Sequence, residues 1–162
     1  MSILSPTGTY GRLVNMLDQH GVQYRIIDHR PEGRTSAASA ARGHPPSQAA
    51  KCMVVEVRVQ RYALCVIPGD AQVDLDAVRE LLGGTRARLA PTQTAEQLTE
   101  CERGTIVPFS FRPGELELIA DPSLLEHNQL YFNAARLDRS LAISSGDFIR
   151  VANPRLATVA ER

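Results

Sequence analysis

Apolar residues recur at helical spacing from Gly11 to His20, where Leu13, Met16 and Leu17 share one face and Gly21 supplies a stop. Val22 to Asp28 changes to a strand-like run, followed by a turn from His29 to Gly33. The alanine-rich stretch from Ser36 to Arg42 predicts a short helix with Thr35 as its N-cap. Gly43-His44-Pro45-Pro46 closes it, and a second short helix is expected before Lys51. Cys52 to Val59 and Tyr62 to Ile67 are apolar runs joined by Gln60-Arg61, which predicts a hairpin without the usual Gly or Asn turn residues. Asp74 to Leu82 places Leu75, Val78, Leu81 and Leu82 on one helical face, with Asp74 at its start and Gly83-Gly84 at its end. Thr94 to Glu100 is expected as a helix, Thr94 and Gln97 being spaced as a capping box.

Glu115 to Ala120, Gln129 to Phe132 and Ser140 to Ile143 predict three more short strands, with helical turns beginning at Asp121 and at Ser144. This order of elements implies one α+β domain over residues 1–152: a central mixed, mostly antiparallel sheet flanked by short helices. Residues 153–162 are expected as a loose C-terminal tail. A chain of 162 residues is the size of one ordinary domain and long enough for one sizeable core.

Charge narrows the list of partners. Eighteen Lys plus Arg balance eighteen Asp plus Glu, so no bulk basic excess captures nucleic acid. A nucleic-acid partner would be held by a local patch or by shape; Arg58, Arg61, Arg86 and Arg88 are candidates for a modest basic rim, and no DNA partner is expected. No apolar run reaches the roughly 18 residues of a membrane span, and the first nine residues lack the pattern of a signal peptide. Cys52, Cys65 and Cys101 fit neither a disulfide framework nor a zinc site, which favours a reducing cytoplasm.

Four features carry candidate chemistry. Lys51 precedes an apolar strand and can aim an ammonium at a phosphate or a carbonyl oxygen, or simply be a solvated strand-end lysine. Gly104-Thr105-Ile106-Val107-Pro108 is a G-x-x-x-P loop whose free N–H groups can cradle an ester carbonyl or a ribose, or an ordinary loop entering a strand. Asn133, Asp138 and Ser140 lie in a polar stretch that either converges on a ligand or forms a surface turn. His29, His20, His44 and His127 show no i, i+4 metal spacing, no nucleophile elbow accompanies them, and each reads as a proton shuttle or an inert loop residue. Alternation puts Cys52 on the face opposite Lys51, which favours a buried structural thiol. No cofactor or metal is called for.

Together, and in this order, these pieces resemble the YbaK/prolyl-tRNA-editing domain family, the INS-like aminoacyl-tRNA deacylases. The matching segments are Tyr24–His29, Thr35–Ala41, Ala50-Lys51 with Val54–Val57, Val66–Asp70, Leu98–Gly104 with Pro108-Phe109, Leu118–Asp121, and Phe132–Arg136 with Ser140, covering roughly Gly11 to Arg150. The resemblance implies hydrolysis of the ester joining a wrong small amino acid to the 3′ end of a tRNA, by a domain that is here freestanding. The family's lysine falls on Lys51, its G-x-x-x-P loop on Gly104 to Pro108, and a pocket position that is histidine in some members on Asn133. Under this reading Lys51, Gly104, Thr105, Asn133 and Asp138 carry catalysis: Lys51 anchors the terminal phosphate or polarises the carbonyl, amides of Gly104 and Thr105 cradle its oxygen, and Asn133 and Asp138 hold water. His29, Cys52, Ile106, Pro108, Ala135 and Ser140 line the substrate pocket. A synthetase or elongation factor is the candidate supplier of the tRNA. The chain departs from the motif where Gly is usual at Glu100, Ser110 and Ala135, and where Thr is frequent at Cys52. The alternative is a module of the same fold that binds an aminoacylated end or a small ligand without hydrolysing it.

Overall fold

The computed structural model describes residues 8–58 and 60–162. Helix α1 (Gly8–Gln19) buries Leu13 and Leu17 and hands over to strand β1 (Arg25–Asp28). Helix α2 (Thr35–Arg42) ends on Gly43 in the left-handed conformation, and the expected second helix is a single 3-10 turn, Pro46–Gln48. Arg34 occupies the N-cap of α2 with no side-chain cap, so Thr35 is the first helical residue and not the cap. Strands β2 (Ala50–Arg58) and β3 (Arg61–Pro68) form the predicted hairpin, in register from Ala50 opposite Pro68 to Val57 opposite Arg61. In place of Gly or Asn, Gln60 takes the turn at φ +49°.

Strand β4 (Gln72–Val73) leads into helix α3 (Leu75–Leu82), where the Asp74 side chain accepts from Ala77 N–H and Gly83 makes the left-handed cap, as the spacing predicts. Strand β5 (Arg86–Leu89) and helix α4 (Thr92–Thr99) follow; Pro91 holds the N-cap of α4, which places Thr94 inside the first turn and removes the expected capping box. The remaining elements are β6 (Leu116–Ala120), a 3-10 turn capped by Asp121, β7 (Gln129–Asn133), β8 (Arg139–Ser144), α5 (Ser145–Ala152), β9 (Arg155–Leu156) and β10 (Ala160–Glu161).

The central sheet runs β5-β2-β3-β6-β9 and is mixed, with β2 antiparallel to both β3 and β5, and β6 parallel to both β3 and β9. Much of the antiparallel pairing lies in a second sheet, β1-β8-β7, joined to the first by a bridge from Ala49 to Tyr131. Strand β3 is covered on both faces, which explains its unbroken run Ala63-Leu64-Cys65-Val66-Ile67, buried throughout. One face packs against α1, α5 and the second sheet through Leu13, Leu17, Phe109, Leu141 and Phe148. The other packs under α3 through Val55, Val57, Ile67, Val78 and Leu82.

The expected loose tail is instead built into the fold. β9 extends the central sheet, β10 pairs with β4, and Val159 is fully buried. The Asp121 carboxylate holds this end down by accepting from Val159 N–H at 2.8 Å and Ala160 N–H at 2.9 Å.

Candidate active site

Strand β5 covers β2 only from Val55 to Arg58, which leaves the Ala50–Met53 half of β2 with an open edge. Onto that edge opens a cleft of about 1160 Å³, walled by the start of α2, the end of β5 with α4, and the Arg103–Ile106 loop. The Val54 carbonyl points toward β5, accepting from Ala90 N–H. By strand alternation the main-chain groups of Cys52 point the same way, out of the open edge. A substrate carbonyl or hydroxyl can pair with them there.

Lys51 stands on this edge. It is the only lysine in the chain, beside seventeen arginines. Its Nζ donates to Ala71 O at 3.1 Å, which leaves two N–H donors uncommitted. The anchoring carbonyl belongs to the turn after β3, where Gly69 lies so close to Pro46 O that a Cβ there would sit 2.4 Å away. Cys52, on the opposite face of the strand as alternation requires, lines the cleft and packs toward the core. Burial pushes its thiol pKa well above the usual range, with Cys101 adding to the rise, so it is not a thiolate nucleophile.

The opposite wall is pinned by Asn133. Its Nδ2 donates to Glu32 O at 2.8 Å and to Gly104 O at 2.9 Å, tying the loop before α2 to the Gly104 loop. Both N–H groups are thereby engaged, and Oδ1 accepts from the Ser140 hydroxyl at 2.9 Å and from Arg42 Nη1 at 3.4 Å. Gly104 has φ +84° and touches Gly33 main chain to main chain. Ile106 lines the same wall.

The other expected site residues lie elsewhere. Thr105 is buried, and both its N–H and its hydroxyl donate to Glu102 O, so its amide is not free to cradle an oxyanion. Asp138 is half-buried and outside the cleft; Arg136 donates to its carboxylate at 2.9 Å and holds it below the usual carboxylate range. Pro108 and Ala135 do not line the cleft, and neither do Ser110 or Glu100. Ser140 and His29 sit behind Asn133. The Ser140 hydroxyl lies between His29 Nε2 at 2.7 Å and Asn133 Oδ1 at 2.9 Å, while His29 Nδ1 faces Arg30 O at 2.8 Å.

Three cleft residues went unread in the sequence: Arg34, Arg42 and Arg103. Arg42 is the hub behind Asn133. It donates from Nε to His44 Nε2 at 2.8 Å and from Nη1 to Ser140 Oγ at 3.2 Å, with no carboxylate partner among the described residues. Burial lowers its pKa to about 10, still well above neutrality. Its position in the last turn of an alanine-rich helix was the available signal, since such a short helix has little else to present. The four arginines expected as a basic rim lie away from the cleft, and two are neutralised, Arg88 by Glu56 and Arg61 by Glu117. Among the described residues no group of His, Cys, Asp and Glu is placed to hold a metal ion, and no helix is long and apolar enough to cross a membrane.

Comparison with known proteins shows the family of the chain. The model of the aminoacyl-tRNA editing domain matches residues 29–151. A curated Escherichia coli K12 protein, the multifunctional Ser/Thr-tRNA deacylase ProXp-y, is 38% identical over 152 residues, covering 91% of this chain and 90% of its own. Two solved structures share the fold. A hypothetical protein has a TM-score of 0.84 at 24% identity, over 93% of this chain and 99% of the other. A provisionally described trans-editing enzyme for prolyl tRNA synthetase has a TM-score of 0.82 at 19% identity, over 98% of this chain and all of its own.

Proposed function

Since the chain belongs to the aminoacyl-tRNA editing domain family, we propose that it is a trans-editing hydrolase, cleaving the ester of a tRNA mischarged with a small amino acid. The observation that carries this reading is the convergence, in one cleft, of the chain's single lysine, the open edge of β2 and the Gly104 wall pinned by Asn133. An aminoacyl ester is already activated, so positioning and oxyanion stabilisation suffice without a side-chain nucleophile. The two uncommitted Nζ donors of Lys51 polarise the ester carbonyl. The main-chain groups of Cys52 hold the ribose or the carbonyl at the open edge. With Asp138 outside the cleft, Thr105 engaged and Asn133 Oδ1 bonded to Ser140 and Arg42, the attacking water is held by the substrate's own 2′-hydroxyl. The relative's name makes seryl and threonyl esters the first to test, and such a substrate would place the protein in the cytoplasm.

The test is deacylation of a panel of aminoacyl-tRNAs by wild type and Lys51→Ala. Release of Ser or Thr by wild type, reduced at least about 100-fold in the variant at unchanged melting temperature, is the expected result. No release from any member of the panel would overturn hydrolysis in favour of a binding module.

A further inference from the structure

The neutral net charge conceals an uneven distribution. Among the described residues eleven of the seventeen arginines have a carboxylate within 4 Å; of the six that do not, Arg25, Arg58 and Arg86 lie outside the cleft, whereas Arg34, Arg42 and Arg103 line it together with Lys51, which also has none. The acids on this wall are engaged nearby: Glu32 pairs with Arg30 at 3.2 Å, and Glu96 accepts the N–H of Arg103 at 2.9 Å. Arg42 is internal and bonded to neutral acceptors, whereas Arg34 and Arg103 are exposed.

The main chain brings those two exposed cations together. A Cβ on Gly104 would lie 2.9 Å from Gly33 Cα, so the two loops meet without side chains between them. Arg34 follows one glycine of this seam and Arg103 precedes the other. Asn133 fixes the seam from below through the carbonyls of Glu32 and Gly104. The result is a close backbone junction with an arginine next to each glycine, both arginines lining the cleft that Lys51 also lines.

We propose that this seam is a phosphodiester clamp, in which Arg34 and Arg103 hold the sugar–phosphate backbone of a single-stranded RNA end while Lys51 meets its acylated terminus. The inference rests on the reading of the cleft given above. Guanidinium forks match phosphate oxygens in pairs and keep their charge at every physiological pH. Two of them, exposed and without carboxylate partners, suit successive phosphates better than a single small carboxylate.

The experiment measures binding of a fluorescein-labelled single-stranded RNA dodecamer ending in CCA, by anisotropy, across a salt series. The proteins are wild type, Arg34→Gln, Arg103→Gln and the double variant, with Arg155→Gln, ion-paired to Glu117 outside the cleft, as control. Each cleft substitution is expected to weaken binding several-fold and to flatten the slope of log affinity against log salt by about 0.7, the double variant by twice that. In deacylation, kcat/KM should fall at least tenfold on aminoacyl-tRNA, against less than twofold on a phosphate-free aminoacyl-adenosine ester. Unchanged affinity and slope in the double variant, or equal losses on the phosphate-free ester, would overturn the clamp. RNA binding that depends on both arginines without release of any amino acid would keep the clamp and defeat the hydrolytic reading. Preference for a poly-glutamate peptide over the RNA would assign the seam to an acidic protein and overturn the proposal.

Discussion

Ala135 holds φ +60°, in the left-handed region that L residues occupy at a cost of about 1–2 kcal/mol. Glu100, the C-cap of α4, does the same at φ +59°. At both positions the resemblance has glycine, so the departures are places where this chain keeps the backbone and forgoes the residue best suited to it. Around Glu100 the strain is offset: its side chain pairs with Arg12 at 3.0 Å and Arg112 at 3.4 Å, and its carbonyl accepts from Thr9. Ala135 has no such compensation beyond contact with the core. Ala135→Gly is therefore expected to raise stability by about 0.5–1 kcal/mol, read as a higher urea midpoint at constant m. A lower midpoint would mean that the methyl contributes more through packing than it costs through φ. Since neither residue lines the cleft, these departures bear on stability.

The C-terminal strands show what an element can do that a pattern cannot announce. The Asp121 carboxyl is pushed up by burial, yet the Ser123 hydroxyl and the amides of Val159, Ser123 and Ala160 outweigh this and hold it below the usual carboxylate range. Asp121→Ala should cost about 3 kcal/mol and expose the Val159 and Ala160 amides to rapid hydrogen exchange. Protection that survives the substitution would show that β10 is held by β4 alone. Strands of two residues, as in β4, β9 and β10, are too short for any periodicity, and their pairing depends on partners far along the chain. By contrast the β2–β3 hairpin and α3 were legible because each spans enough residues to repeat its period. The same distinction divides the site. Lys51, Gly104 and Asn133 announced themselves by motif, whereas Arg34 and Arg103 acquire meaning only when Gly33 and Gly104 touch. Asp138 misled because its neighbourhood in sequence, between two strands, turns outward in space to meet Arg136.

At the scale of the molecule, the junction of the two sheets is where pH should act. His44 stacks on Tyr131, with ring centroids 3.9 Å apart, and its Nε2 accepts from Arg42. Burial lowers its pKa from 6.5 to about 4; the Pro45 carbonyl opposes this fall and the Arg42 charge reinforces it. The unfolded chain thus binds a proton that the folded one refuses. This contribution to stability is complete above pH 6.5 and declines as the pH falls toward 4. The melting temperature of wild type should drop across that window more steeply than that of His44→Gln, which can still accept from Arg42. Parallel curves would remove His44 from the account.

Lys51 is the only lysine of a chain otherwise charged positively by arginine, and it lines the cleft. Apart from the α-amine at the N-terminus, the protein therefore offers amine-seeking chemistry a single side chain. An acyl group placed on that nitrogen would remove the site's only ammonium while leaving every arginine charged. Covalent occupancy of one atom in the cleft can thus be counted directly against activity.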